Sequence, residues 1–368
     1  MRVYFSHDDA VPMFSGSIGG RFGGAEMQIF SIANVLSKYE DVSVHFLVSN
    51  QNIMLPHGDP VQFAYNPTLI SKGIPLISRV INESRERKAY PYVTGEIFVH
   101  TIVNENIFVN FERAKKHGMK FVLRLSCDAD ITGDFFAQSL VERYYALLQK
   151  CDMIIAQSKN QARLLMDCRG LKGIVIPNGL PDAPIKGTSS KTDECVLWIG
   201  RCVNLKRPWD YLELARRNSE TKFVMFLSDD DNDLKKWIKD STKSISNLEI
   251  VENVSNDNAM AFMNMCKLYI NTSSIEGFPN TFIEAMRASV PIASLSVDPD
   301  SIIRDNKIGI VGNNDMETFN DKIKNLLDDE SELKRMGHSA RNLYETNYTV
   351  HTLGEKYHRA FRELLCQR

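Results

Sequence analysis

Glu276 and Glu284 are separated by seven residues within NTSSIEGFPNTFIEAMRASVPIA, residues 271–293. This segment begins where an apolar, strand-like run ends, turns at Gly277, Phe278 and Pro279, and enters a helix at Asn280 or Thr281. Both of those residues are good N-cap types. A helix amino end behind a glycine turn presents backbone N–H groups and the positive end of the helix dipole, which suits a phosphate. The two carboxylates then flank an anion site, where each can accept hydrogen bonds from sugar or ribose hydroxyls. Glu284 is equally compatible with a bland role, complementing the dipole from the first turn or so of the helix.

A second segment, WIGRCVNLKRPWDYLELARR (residues 198–217), supplies cations. The spacing predicts a strand ending at Ile199, a turn at Gly200, and Arg201 and Lys206 beyond the strand's carboxyl end, with Pro208 at the first helical position. Two cations there can clamp a diphosphate and stabilise the charge that develops on a leaving group. Lys206 and Arg207 also fit an ordinary exposed basic pair.

The other chemistry-bearing residues are more scattered. Gly23 and Gly24, in GSIGGRFGGAEMQIF (residues 16–30), let backbone approach a ligand because no side chain intervenes, or simply make a flexible loop. The G-x-G-x-x-G fingerprint is absent there, and no Walker lysine follows. Asp128 and Asp130 lie in VLRLSCDADITGDFF just after an apolar run, and His100 closes the strand-like EIFV, where a structural histidine is the ordinary reading. The acidic run of Ser228, Asp229, Asp230 and Asp231 reads as a solvated loop, so no metal site is expected.

Elements that alternate between strand and helix must position these residues. Apolar runs at 2–6, 42–48, 120–125 and 153–156 predict strands, and the stripe at 25–38 predicts a helix. A Pro-, Gly- and Ser-rich stretch then reads as an interdomain linker. The pattern restarts with strands at 195–199, 222–227, 248–251, 268–270 and 291–295. The expectation is two α/β domains, 1–176 and 177–348, with a terminal helix at 349–368 docking back on the first. Ligands bind beyond the carboxyl ends of the strands in such sheets, which points to the turns after 199, 227, 270 and 295.

Bulk composition narrows the class. The chain has 368 residues, 43% hydrophobic and 24% charged, with a formal net charge of −2, which excludes a nucleic-acid binder reading on charge. Seven cysteines show no C-x-x-C pair or metal-ligand spacing, a pattern of reducing compartments. With no apolar leader and no run of about 20 apolar residues, a cytoplasmic protein is expected. Arg85, Arg87 and Lys88, then Arg113, Lys115, Lys116 and Lys120, form two basic clusters. These are solvated surface or weak attachment to an anionic membrane.

Taken together, Gly-Arg, then Lys206, then E-G-F-P-N-T-x-x-E-A seventy residues on, followed by Pro-Ile-Ala, closely resemble the glycosyltransferase 4 family. The match is strong over residues 198–293 and weaker before them. IPNG at 176–179 matches the family's interdomain turn, and Gly23 and Gly24 its first loop. The resemblance implies an α/β GT-B fold, two facing Rossmann-like domains with an interdomain cleft. It also implies retaining, metal-independent transfer of a hexose-type sugar from a UDP- or GDP-sugar, with no cofactor beyond that donor. Glu276 would contact the donor sugar and Glu284 the ribose hydroxyls. Gly277, Phe278, Pro279, Asn280 and Thr281 would hold the phosphates alongside Arg201 and Lys206. Asn253 and Val254 match a place where family backbone meets the nucleotide base. The acceptor would be a glycan, a lipid-linked or cell-envelope polysaccharide intermediate, met on the inner face of the membrane. Because the Asp-x-Asp metal motif belongs to a different, GT-A architecture, the acidic run at 228–231 keeps its bland reading.

Two departures stand out. The histidine that many relatives carry in the first domain is missing, and Asp128 stands near its place. The turn SVDPDS lacks the usual Gly-Gly. A sugar-nucleotide epimerase of the same fold and a non-catalytic nucleotide-sugar binder therefore stay open as alternatives.

Overall fold

The computed structural model describes residues 1–7, 10–14, 24–48, 61–65, 96–101, 103–134, 136–182, 195–228, 232–252 and 256–367. The chain divides into two units, one of Met1–Pro177 with Val350–Arg368 and the other of Asn178–Thr349. The expected positions Gly23, Asn253, Val254, Asp229, Asp230 and Asp231, and the basic residues Arg85, Arg87 and Lys88, lie outside the described residues.

The first unit is a seven-stranded parallel sheet. Its strands are β1 (Arg2–Ser6), β2 (Ser43–Val48), β3 (Val61–Tyr65), β4 (Ile97–Thr101), β5 (Lys120–Arg124), β6 (Met153–Ala156) and β7 (Ile174–Val175), in the order 3-2-1-4-5-6-7. Val3 pairs with Val44, Tyr4 with His45 and Phe5 with Phe46. Because successive side chains leave opposite faces, Val3 and Phe5 enter one core and Tyr4 the other. Both faces are covered, as parallel sheets require. Helix Val350–Cys366 supplies Leu353, Tyr357, Phe361 and Leu364 to the first of those cores. It packs on helix Gly24–Leu36, and only glycine fits at 354: a Cβ there would sit 2.7 Å from Val35 Cγ2.

The second unit is a six-stranded parallel sheet in the order 10-9-8-11-12-13. Its strands are β8 (Cys195–Arg201), β9 (Lys222–Ser228), β10 (Leu248–Glu252), β11 (Leu268–Asn271), β12 (Ile292–Ser294) and β13 (Gly309–Val311). β9, KFVMFLS, is buried from Phe223 to Leu227, so its near-continuous apolar run is that of a central strand covered on both faces.

Two local expectations are corrected. Gly200 does not make a turn: β8 runs on through Gly200 and Arg201, which pair with Leu227 and Ser228. The glycine is there for Trp198, two residues back on the same face, whose indole carbon would lie 2.6 Å from a Cβ at 200. Nor do Asn280 and Thr281 cap the next helix. That helix is Asn280–Arg287, with Pro279 at the cap position and no side-chain cap, because both polar side chains are bonded to remote partners described below. Its first turn carries no acidic residue, so Glu284 sits too far in for the dipole role.

Candidate functional site

The carboxyl edge of the second sheet brings together Arg201, Lys206, Glu276 and the 277–281 segment. After β8, Asn204–Lys206 makes a single 3-10 turn, and Arg207 takes a left-handed conformation (φ 48°) before Pro208 opens helix Pro208–Arg217. After β11, the chain passes Thr272, Ser273 and Ser274 on its way to Glu276. The two turns are laced together. Thr272 Oγ1 donates to Lys206 O (2.7 Å) and accepts from Trp198 Nε1 (2.9 Å). The backbone N–H and hydroxyl of Ser274 both donate to Leu205 O, at 2.9 and 3.2 Å.

This lacing brings Lys206 Nζ onto Glu276 Oε1 as a direct ion pair. Ser273 Oγ donates to the same oxygen (2.7 Å), and Oε2 takes neither bond. Both side chains are half-buried, at 24% and 16% exposure, so they keep a face open to a ligand while being poorly screened by water. Arg201 is exposed at the end of β8.

Behind the pair, the Gly277–Pro279 turn is held from two sides. Asn178 Nδ2 donates to Phe278 O (3.2 Å) and to Asn280 Oδ1 (2.8 Å). Phe278 is buried and stacks on Tyr348, with ring centroids 5.4 Å apart. Tyr269 Oη donates to Thr281 Oγ1 (2.9 Å), fixing the start of the 280–287 helix on β11. Glu284 is half-buried within this helix. Burial pushes its carboxyl above the usual range, and Arg287 pulls the other way.

In the first unit, Gly24 is the exposed first residue of helix Gly24–Leu36. The two aspartates after β5 part company. Asp130 is buried and accepts the N–H groups of Ser126 and Cys127, the latter at 3.1 Å. Burial raises its carboxyl to about 6. Asp128 stays half-exposed, with Oδ1 accepting from Gln161 Nε2 (3.3 Å). His100 is buried, its Nδ1 3.3 Å from Asn110 Nδ2. The second basic cluster is largely spent within the unit: Lys115 and Lys120 both pair with Asp152, at 2.5 and 3.5 Å, and Arg113 is buried.

Among the described residues no group of three or more His, Cys, Asp or Glu is placed to hold a metal ion, and no helix is long and apolar enough to cross a membrane. Sequence reasoning did not single out Ser273, Asn178 or Tyr269 as individual holders of the site. The polar run NTSS after a strand and the asparagine of IPNG were the signals available for the first two.

Residues 182–343 match the family model for glycosyl transferases group 1. The capsular polysaccharide biosynthesis glycosyltransferase CapM of Staphylococcus aureus is 26% identical over 121 residues, which span 32% of this chain and 31% of that protein. WaaG, a glycosyltransferase involved in lipopolysaccharide biosynthesis, superimposes with a TM-score of 0.66 at 13% identity, over 98% of this chain and 99% of its own. TarM of S. aureus, solved with UDP and α-GlcNAc-glycerol, gives 0.60 at 18% identity, over 72% of this chain and 55% of that one. At these identities the structural likeness establishes the α/β GT-B fold.

Proposed function

We infer that the protein is a glycosyltransferase, proceeding from the place of its second unit, over residues 182–343, in the group 1 glycosyl transferases. It moves a hexose-type sugar from a UDP- or GDP-sugar to an acceptor hydroxyl, with retention and without a metal. The observation that carries this reading is the Lys206–Glu276 pair at the carboxyl edge of a parallel sheet, beside a glycine turn and a helix amino end.

In this reading the donor diphosphate draws Lys206 from Glu276 and is met by Arg201 and by backbone N–H groups of Gly277, Phe278, Asn280 and Thr281, with Pro279 shaping the turn. Glu276, once released, accepts hydrogen bonds from sugar hydroxyls, and Glu284 from the ribose. By the family resemblance Asn253 and Val254 would serve the nucleotide base, and Gly23 and Gly24 the donor phosphates or the acceptor. During transfer the bond from the anomeric carbon to the diphosphate oxygen breaks and a bond to the acceptor oxygen forms on the same face. The acceptor proton passes to the departing diphosphate, whose growing charge Lys206 and Arg201 neutralise. Asp128, the half-exposed aspartate after β5, is the first unit's candidate for holding a reacting hydroxyl.

The acceptor is a lipid-linked or cell-envelope glycan intermediate met at the cytoplasmic face of a membrane. Supporting an acceptor with an apolar portion, Leu205 and Ile275, each next in sequence to one member of the ion pair, are 56% and 63% exposed. CapM and WaaG, by their names, act in capsule and lipopolysaccharide synthesis.

A panel of UDP-, GDP- and ADP-sugars incubated without acceptor tests the reading. Slow release of one nucleoside diphosphate, unchanged by EDTA, supports it, whereas neither release nor binding of any donor contradicts it. Flotation with anionic vesicles at low salt tests the membrane component, and protein left at the bottom of the gradient counts against it.

A further inference from the structure

Lys206 and Arg207 are consecutive cations, yet their side chains diverge. Lys206 Nζ goes to Glu276, whereas Arg207 Nη1 donates to Asn314 Oδ1 (2.5 Å) and its Nε lies 2.5 Å from Asp210 Oδ2. The left-handed backbone at Arg207 lets the chain reverse between them, a conformation that is unfavourable for a non-glycine residue. Asn314 is itself left-handed (φ 62°), as is its neighbour Asn313 (φ 55°).

Asn314 lies where three carboxyl-edge turns meet. Its backbone N–H donates to Leu295 O just after β12 (2.7 Å), its Oδ1 also accepts from Ser296 Oγ (3.1 Å), and it belongs to the turn after β13. Beside it, Arg304 Nη2 donates to Asn313 Oδ1 (2.7 Å), and Arg304 Nε lies 3.5 Å from the buried Asp298. In the same region Asp300 and Ser301, in the turn that lacks Gly-Gly, hold positive φ values of 55° and 57° without glycine. Strained backbone of this kind persists only where surrounding bonds over-determine it, and here those bonds converge on the edge that carries Lys206.

We propose that Asn314 is a positioning residue for the donor diphosphate: by pinning the Arg207 guanidinium with Asp210, it fixes the 204–206 turn so that Lys206 is presented beside Glu276. The inference rests on the donor-site reading above. It predicts that Asn314 affects nucleotide binding only through Lys206.

Titration calorimetry of the full chain with UDP and with GDP, on wild type and four variants, tests this. Glycine takes φ +62° without strain, so Asn314→Gly removes the amide while sparing the backbone. It is expected to weaken nucleotide binding about tenfold or more, the scale of a hydrogen bond to a charged group, with little change in melting temperature. Asn314→Asp keeps the acceptor and the tolerance of left-handed backbone, and is expected to bind as wild type does. In a Lys206→Ala background the further change Asn314→Gly should cost nothing more, the signature of coupled sites. Wild-type affinity in Asn314→Gly, the same loss in Asn314→Asp, or an undiminished loss in the Lys206→Ala background would each overturn the proposal. A fall in melting temperature that tracks the loss of affinity would reduce Asn314 to a structural residue and overturn it too. Wild-type protein that binds neither nucleotide contradicts the donor-site reading itself, and the inference with it.

Discussion

Lys206 and Glu276, seventy residues apart in sequence, form an ion pair on the carboxyl edge of the second sheet, with Ser273 bonded to the same carboxylate oxygen. Each group neutralises the other in this pair. In the proposed donor site an anionic diphosphate would compete for the lysine and a sugar hydroxyl for the glutamate, so that one binding event would replace one charge-assisted contact with two.

Asn178 holds the loop that lies between these groups and the 280–287 helix. Replacing it with alanine leaves Phe278 O and Asn280 Oδ1 without their shared amide donor. A buried hydrogen-bonding group left unmatched costs about 1–3 kcal/mol. We expect Asn178→Ala to lower the melting temperature of the second unit and to raise the KM for donor more than it lowers kcat. Steady-state kinetics with a thermal melt on the same preparation would show both, and an unchanged KM would detach Asn178 from the donor loop.

Gly200 is required by packing. A side chain there enters the space of the Trp198 indole, which is buried and bonded to Thr272. Overpacking of this kind costs about 1–3 kcal/mol. Gly200→Val should therefore destabilise the second unit while Trp198→Phe, Gly200→Ala together recover part of the loss. Chemical denaturation of the three proteins decides it, and a fully stable Gly200→Val refutes the packing account.

Much of this architecture was legible because buried parallel strands write themselves as apolar runs, β9 being the clearest. β13 and β7, of three and two residues, are too short to give any period. Local rules misled where a distant partner intervened. Gly200 looks like a turn until Trp198 is seen on the same face, and Asn280 and Thr281 look like caps until Asn178 and Tyr269 claim their side chains. The sequence marked Glu276, with Glu284, as flanking an anion site and Lys206, with Arg201, as clamping a diphosphate, but the direct pairing of Lys206 with Glu276 depends on the lacing of Thr272 and Ser274 to the 204–206 turn. The adjacent asparagines at 313 and 314 were the one local hint of left-handed backbone there, since asparagine tolerates it.

Asp130 gives a pH signature with a definite sign. Its folded carboxyl titrates near 6, above the ordinary value of 3.8, mainly because it is buried. The folded state therefore holds this proton more tightly than the unfolded chain. Stability from this group is fully present below about pH 4 and is lost as pH rises through 6, a change of about 3 kcal/mol. Asp130→Asn lacks that loss, so its stability relative to wild type should rise between pH 4 and 7. Parallel denaturation curves across that range test it, and a pH-independent difference would show that Asp130 is not held protonated.

Leu205 and Ile275 are expected to matter for the acceptor and not for the donor. Changing both to serine should leave acceptor-free donor hydrolysis within about twofold of wild type, as surface substitutions do. Transfer to a lipid-linked acceptor should fall about tenfold, roughly the loss of 1.4 kcal/mol of apolar contact. Equal effects on both reactions would place these residues in the donor site instead.

The most direct test of the account is donor cleavage by wild type, Lys206→Ala and Glu276→Gln, with folding checked by thermal melt. We predict that release of the nucleoside diphosphate falls about a hundredfold or more in both variants, the scale of removing one group that stabilises developing charge, while their melting temperatures stay close to wild type. Variants that cleave the donor at the wild-type rate would show that the Lys206–Glu276 pair is a structural link and that the chemistry lies elsewhere.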